Sequence, residues 1–152
     1  MEARSSRRAR VLLPALVAAS LVGVLGRDAS AAAAFRVIVH PQVKGGQITR
    51  AVLSAIFLKQ APRWGDGSPV VPVDQSVQSA VRRAFSNEVL KQGTVEVQFY
   101  WQRRISAGQV PPPVKTSDEE VLAFVASTPG AIGYVSSTTP VPATVREVAV
   151  VD

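Results

Sequence analysis

The stretch VPVDQSVQSAVRRAF, residues 71–85, decides how the rest of the sequence is interpreted. A short apolar segment is followed by Asp74-Gln75-Ser76 and then by apolar residues at helical spacing, which predicts a strand, a turn and a helix. The first turn of a helix carries N–H groups without intrahelical acceptors at the positive end of the dipole, so it can receive an anion. Turns that hold anions usually contain glycine, and this stretch contains none.

The first 31 residues have the pattern of a secretory signal peptide. Arginine-rich residues 4–10 precede an apolar run at 11–25, and small residues follow at 29–34. This order predicts cleavage after Ala31 or Ala34. The apolar run is shorter than the roughly 20 residues that cross a bilayer, so no stable membrane insertion is expected after cleavage. The pattern predicts an exported, soluble, periplasmic protein, and both the Sec and the Tat export routes remain open.

Composition excludes several kinds of chemistry. The sequence has no cysteine, which removes disulfides, thiol nucleophiles and thiolate metal sites. Of 17 basic and 11 acidic residues, five and two precede Ala31, which leaves 12 and 9 and a net charge of +3. No concentrated basic run accompanies this charge, so nucleic-acid binding is not expected. The length of 35–152 fits one domain with its own core.

Hydrophobic periodicity predicts alternating strands and helices along 35–152. The strands are expected at 35–40, 70–73, 131–135 and 145–151. The helices are expected at 50–59 with Thr49 as N-cap, from 77, after Thr94 as N-cap, and from 118 with a Ser117-Glu120 capping box. This order predicts an α/β fold with a mostly parallel sheet flanked by helices.

Four segments in this order resemble the phosphate-type periplasmic substrate-binding proteins of ABC transporters. They are AIFLKQAPRWGDGSPVVPVDQ at 55–75, RRAF at 82–85, YW at 100–101 and PGAIGYV at 129–135. The likeness extends from about residue 35 to 150 and is closer to the short single-domain relatives of that family. The resemblance implies a single lobe of the type II periplasmic-binding-protein fold.

The resemblance also implies a ligand site. In the full-length family, a strand-to-helix turn with a Ser-Gly-Thr motif grips the oxyanion, and that turn matches 71–85 here. Asp74 and Ser76 fall in the corresponding place, and Ser79 lies in the first helical turn. With Gln75 and Arg83 they form the candidate ligand-binding set.

This chain departs from the family pattern at the same turn. Both glycines are missing, and so is the arginine that full-length members carry just ahead of the turn. Each candidate also has a structural interpretation. Ser76 either contacts the ligand or only caps the helix, and Asp74 either accepts a proton from the oxyanion or only ends the strand. Arg82 and Arg83 either clamp an oxyanion or lie solvated on the outer helix face.

The residues that usually carry catalysis are sparse. His40 is the only histidine, and no G-x-S-x-G segment supplies a nucleophile. The acidic residues 118–120 lie where a helix begins, and negative charge is favourable there without any chemistry. We therefore expect no enzyme activity, no metal site and no cofactor.

Two functional hypotheses follow. The first is an exported substrate-binding-protein-like domain that binds phosphate or a similar small oxyanion weakly, because one lobe cannot close around a solute, and that works with an ABC permease. The alternative is a non-transport interaction module with an envelope protein partner, in which solute binding has been lost.

Overall fold

The computed structural model describes residues 34–152, and the signal peptide predicted at 1–31 lies outside them. The strands of the described part are β1 Phe35–Val39, β2 Gln47–Thr49, β3 Val71–Pro72, β4 Asp74–Gln75, β5 Val114–Lys115, β6 Ala131–Ser136 and β7 Arg146–Val151. Its helices are α1 Arg50–Phe57, α2 Ala80–Phe85, α3 Thr94–Ser106 and α4 Asp118–Ser127, and a π-helical segment, Ser86–Leu90, continues α2.

Five strands form one sheet in the order β2-β7-β1-β6-β3. The central strand β1 is antiparallel to both of its neighbours, β6 and β7, whereas β2 with β7 and β3 with β6 are parallel pairs. The short strands β4 and β5 form a separate parallel pair. The expected α/β class is confirmed. The expectation of a mostly parallel sheet is wrong for the main sheet, which is mixed: its central strand is antiparallel to both neighbours, and only the two edge pairs are parallel.

Both faces of the main sheet are buried. Side chains alternate along β1, so Val37 and Val39 belong to one apolar cluster and Ile38 to the other. The first cluster includes buried residues of α1, α2 and α3, and the second includes Val121 and Val125 of α4. The sheet therefore lies between two helical layers, as in other α/β domains.

Aromatic rings fill the larger cluster. Phe85 of α2 stacks on Tyr134 of β6 with ring centroids 3.9 Å apart and planes 3° apart. Phe35 and Phe57 contact the same two rings at tilted or edge-on angles. This packing fixes α2 against the sheet, and it thereby fixes the turn that precedes α2.

The strand predicted at 70–73 is wrong in its extent. Strand β3 ends at Pro72, and Val73 makes the last hydrogen bond to the main sheet by donating its N–H to Ile132 O. The next residue, Asp74, donates its N–H to Pro113 O and so begins the small sheet. The helix predicted from 77 begins only at Ala80, and its N-cap is Ser79 rather than Ser76.

The two adjacent arginines, each expected either to clamp an oxyanion or to lie solvated on the outer helix face, differ in the structure. Arg83 is exposed, whereas Arg82 is only 3% exposed, so the solvated interpretation is wrong for Arg82. Arg82 is buried because it pairs with a buried carboxylate, as described below.

Two of the other predicted N-caps are confirmed. Thr49 caps α1 by accepting a hydrogen bond from Val52 N, and Ser117 caps α4 by accepting one from Glu120 N. Thr94 is wrong as an N-cap, because it is the first residue of α3 and Gly93 precedes it in the N-cap position. No helix in the described part of the chain is long and apolar enough to cross a membrane.

Candidate functional site

Two strand-to-helix connections lie side by side in this fold. Strand β4 leads into α2, and strand β5 leads into α4. The two strands are parallel neighbours, with Asp74 opposite Val114 and Gln75 opposite Lys115. Both helices therefore begin at the same edge, beyond the carboxyl ends of the strands. In open α/β folds, ligands bind at such an edge.

A cleft of about 430 Å³ opens between these two helix beginnings. We call it the hydroxyl cleft, because four of its lining residues carry hydroxyl groups. They are Ser79, Thr116, Ser117 and Ser136. Gln75, Asp118 and the first residues of α2 also line it. The cleft thus combines hydroxyl donors with the positive ends of two helices.

Ser79 and Ser117 have the same role on the two helices. Ser79 Oγ accepts a hydrogen bond from Arg82 N at 3.4 Å, and Ser117 Oγ accepts one from Glu120 N at 3.2 Å. Each cap satisfies one N–H group of its helix. The earlier N–H groups, of Ala80 and Val81 in α2, have no intrahelical acceptor by position and remain available to a ligand.

Gln75 and Asp118 connect the two sides of the cleft. Gln75 Nε2 donates to Asp118 Oδ1 at 2.8 Å, and Gln75 Oε1 accepts from Ser79 Oγ at 3.0 Å. The other oxygen of Asp118 accepts from Ser136 N at 3.0 Å and from the Thr139 hydroxyl. Asp118 is therefore held by donors of the chain itself, beyond the helix-capping role expected from the sequence.

Asp74 lies in the interior rather than in the hydroxyl cleft. Its Oδ1 is 2.9 Å from Arg82 Nε and accepts hydrogen bonds from the Tyr134 hydroxyl and from Gln75 N. Burial raises the pKa of Asp74, although the nearby Arg82 charge and the hydrogen bonds from Tyr134 and Gln75 oppose that shift. The other side of the pair is also held, because Arg82 Nη1 donates to the Ser86 hydroxyl.

The structure separates the five candidate ligand-binding residues. Gln75 and Ser79 line the hydroxyl cleft. Asp74 and Ser76 line a second cleft, which Gln75 also reaches. Arg83 is exposed, lines neither cleft and donates to Gln78 O at 3.0 Å.

Four residues of the hydroxyl cleft were not predicted as site residues: Thr116, Ser117, Asp118 and Ser136. Ser117 and Asp118 were interpreted as helix-capping residues only. A signal was available, since the capping box marks the beginning of a second helix that follows an extended segment. The parallel pairing of β4 with β5, which brings the two helix beginnings together, involves two residues in each strand and leaves no periodic pattern.

Metal ligands are not clustered in this region. Within residues 34–152, no group of three His, Asp or Glu side chains is arranged to hold a metal ion. The donors of the hydroxyl cleft are hydroxyl and N–H groups, which suit an anion better than a cation.

The described residues have the fold of a single lobe of the periplasmic-binding-protein type. No protein-family model matches the sequence, and no curated protein matches it. Solved structures that resemble it include phosphate ABC transporter substrate-binding proteins.

Three of these structures illustrate the likeness. PstS from Borrelia burgdorferi has a TM-score of 0.62 at 19% identity, with 77% of this chain and 47% of that chain covered. A phosphate ABC transporter substrate-binding protein from Clostridium perfringens with bound phosphate has a TM-score of 0.61 at 20% identity, with 77% of this chain and 44% of that chain covered. An ABC-type phosphate transport receptor from Vibrio cholerae has a TM-score of 0.61 at 15% identity, with 77% of this chain and 46% of that chain covered. This chain spans less than half the length of each, and the likeness is one of fold.

Proposed function

We propose that this protein binds phosphate or a similar small oxyanion in the hydroxyl cleft. The observation that carries the proposal is the meeting of two helix beginnings in a hydroxyl-lined cleft at the carboxyl edge of parallel strands. Support comes from the fold, which is shared with proteins described as phosphate transport receptors, one of them with phosphate bound.

The cleft offers an oxyanion uncharged donors rather than cationic side chains. Each helix beginning carries roughly half a positive charge, and the N–H groups of Ala80 and Val81 point out of the first turn of α2. The Ser136 hydroxyl can add a donor when its partner Thr138 supplies the proton of their shared hydrogen bond, whereas the Thr116 hydroxyl already donates to Glu120 Oε2 at 3.0 Å. A tetrahedral oxyanion, with acceptors in several directions, matches donors that arrive from two helices and a strand end.

Asp118 sets a preference among oxyanions. It is the acidic side chain that lines the cleft, and it stays close to any anion bound there. An oxyanion that carries a proton can donate a hydrogen bond to this carboxylate, whereas a fully ionised one meets repulsion. We therefore expect monohydrogen or dihydrogen phosphate to bind better than sulfate.

Binding is expected to be weak. Among residues 34–152, no arginine or lysine lines the hydroxyl cleft, and the cleft is open, whereas tight sites enclose most of a ligand's surface. A dissociation constant of about 1 mM corresponds to roughly −4 kcal/mol and fits a few hydrogen bonds in an open site.

The cellular part of the proposal is a link to ABC-type uptake in the periplasm. It is supported by the fold likeness to transport receptors and by the signal-peptide pattern at 1–31. The protein would act as a binding protein rather than an enzyme, with a permease as its partner. The test is to delete the gene and measure phosphate uptake under phosphate limitation. Unchanged uptake would contradict the transport link but would leave the proposed binding site unaffected.

Calorimetric titration with phosphate, sulfate and acetate tests the binding site. Ser79→Asp is the informative variant, because aspartate is also a good N-cap but adds a negative charge to the cleft. We expect it to abolish phosphate binding. Thr144→Asp makes a similar change at an exposed residue outside the cleft and should bind normally. Equal phosphate binding by wild type and Ser79→Asp would contradict the assignment of the site.

A further inference from the structure

A second cleft, of about 350 Å³, lies between the beginning of α3, the proline segment at 111–112 and the turn after β4. We call it the Trp101 cleft. Its walls are mostly apolar and include Val97 and Trp101 of α3, Pro112 and Val114. This size falls at the lower end of the range for small-molecule pockets, and walls of this kind with a few polar groups are typical of them.

The buried ion pair supplies the charged groups of this cleft, beside the polar residues Gln75, Ser76, Thr94 and Gln98. Asp74 and Arg82 both line the cleft, although their side chains are only 13% and 4% exposed. Every contact of Asp74 given above is made by Oδ1. Among the described residues, no donor forms a hydrogen bond with Asp74 Oδ2. One carboxylate oxygen therefore remains able to accept a hydrogen bond.

Arg82 contributes an unsatisfied donor. Its Nε lies 2.9 Å from Asp74 Oδ1, but its N–H is not aligned with that oxygen and forms no hydrogen bond with the described residues. Buried polar groups usually find a partner, so an orphan donor beside a free acceptor calls for an explanation. A ligand with a hydrogen-bond acceptor next to a donor would complement the Arg82 Nε–H and Asp74 Oδ2. Where the ligand group is too far for a direct hydrogen bond, a water molecule can bridge the two.

The charge of the site restricts the ligand further. The carboxylate of Asp74 and the guanidinium of Arg82 neutralise each other, so a charged ligand would lose its hydration without meeting an opposite charge. An uncharged ligand avoids that cost. The volume admits a single ring, and the wall formed by Trp101 and Pro112 suits a flat or compact one.

The geometry points to a binding site for a small uncharged cyclic amide in the Trp101 cleft. The amide N–H would donate to Asp74 Oδ2, its carbonyl would accept from the Arg82 guanidinium, and the ring would lie against the apolar walls. This site is separate from the hydroxyl cleft and does not depend on oxyanion binding, since the two clefts share only Gln75.

The test is an NMR titration of the isotope-labelled protein with 2-piperidone, a six-membered cyclic amide. Saturable shifts are expected at the Trp101 indole N–H and at the amides of Thr94 and Val114. N-methyl-2-piperidone keeps the ring and the carbonyl but lacks the N–H donor. We expect its affinity to be lower than that of 2-piperidone by a factor of about ten at least. Equal binding of the two probes would overturn the role of Asp74 and with it the ligand class.

Two exposed valines give a matched pair of variants. Val114 is 58% exposed and lines the cleft, whereas Val95 is 56% exposed and does not. Val114→Arg should fold and lose the 2-piperidone shifts, and Val95→Arg should keep them. Absence of saturable shifts in the wild type, shifts confined to the hydroxyl cleft, or unchanged binding by Val114→Arg would each overturn the proposal.

Discussion

Asp74 and Arg82 form an ion pair in the interior of the protein, with Arg82 Nε 2.9 Å from Asp74 Oδ1. The pair joins the first residue of β4 to the buried side of α2. Removing water from two charges is costly, and their attraction offsets that cost only while both are present. The pair therefore makes the turn between β4 and α2 sensitive to the loss of either partner.

Loss of the arginine alone should be strongly destabilising. Arg82→Met leaves the Asp74 carboxylate buried without its counter-charge, and we expect the free energy of unfolding to fall by about 3–5 kcal/mol. Urea denaturation at neutral pH measures this change. Arg83→Met is the control at the next position, where the side chain is exposed, and its effect should stay within about 0.5 kcal/mol. Equal effects of the two substitutions would contradict the buried pair.

Tyr134 should make the protein sensitive to alkaline pH. Burial, with a smaller contribution from the Asp74 charge, raises the pKa of Tyr134 well above its ordinary value of 10.0. In the unfolded chain the tyrosine ionises near pH 10, whereas the folded protein keeps the proton. The contribution of Tyr134 to the free energy of unfolding is therefore complete below pH 10 and is lost as the pH rises toward the pKa of the folded state. Over that range the free energy of unfolding falls by up to about 1.4 kcal/mol per pH unit.

Tyr134→Phe removes this titration. Urea denaturation between about pH 9 and 11 should show a flatter pH dependence for the variant than for the wild type, whatever the difference at neutral pH. Parallel curves would show that the hydroxyl of Tyr134 ionises equally in both states, against the buried position described here.

Gly133 should not tolerate a side chain. A Cβ atom there would lie 2.8 Å from methyl carbons of both Val73 and Val121, between the sheet and α4. Gly133→Ala is expected to cost about 1–3 kcal/mol of unfolding free energy through overpacking. Gly46→Ala serves as the control, because a Cβ atom at Gly46 meets nothing within 4 Å. A neutral Gly133→Ala would contradict the close approach of α4 to β6.

The sequence predicted the layers of this fold better than its local boundaries. Long apolar strands such as 131–135 and capped helices such as the one after Ser117 carry strong periodic signals, and the structure contains both. The strand β2 was missed because it has three residues, Gln47–Thr49, and its stability comes from pairing with β7. Pairing over such short segments is a tertiary effect.

The orientation of α2 was not predictable from hydrophobicity alone. Periodicity counts an arginine as an outward residue, so the sequence suggested a solvated position or an oxyanion clamp for Arg82 and not a buried ion pair. The position is decided by Asp74 and the Ser86 hydroxyl, which come together only in the folded chain. Because the helix was expected from 77, Ser76 was the predicted N-cap, whereas the structure has Ser79 in that role.

An NMR titration of the labelled protein with inorganic phosphate tests oxyanion binding in the hydroxyl cleft. Saturable shifts, with a dissociation constant of about 1 mM, are expected at the amides of Ala80, Val81, Asp118 and Glu119, and they should be lost in Ser79→Asp. Shifts that never saturate, or that lie away from the beginnings of α2 and α4, would contradict oxyanion binding in this cleft.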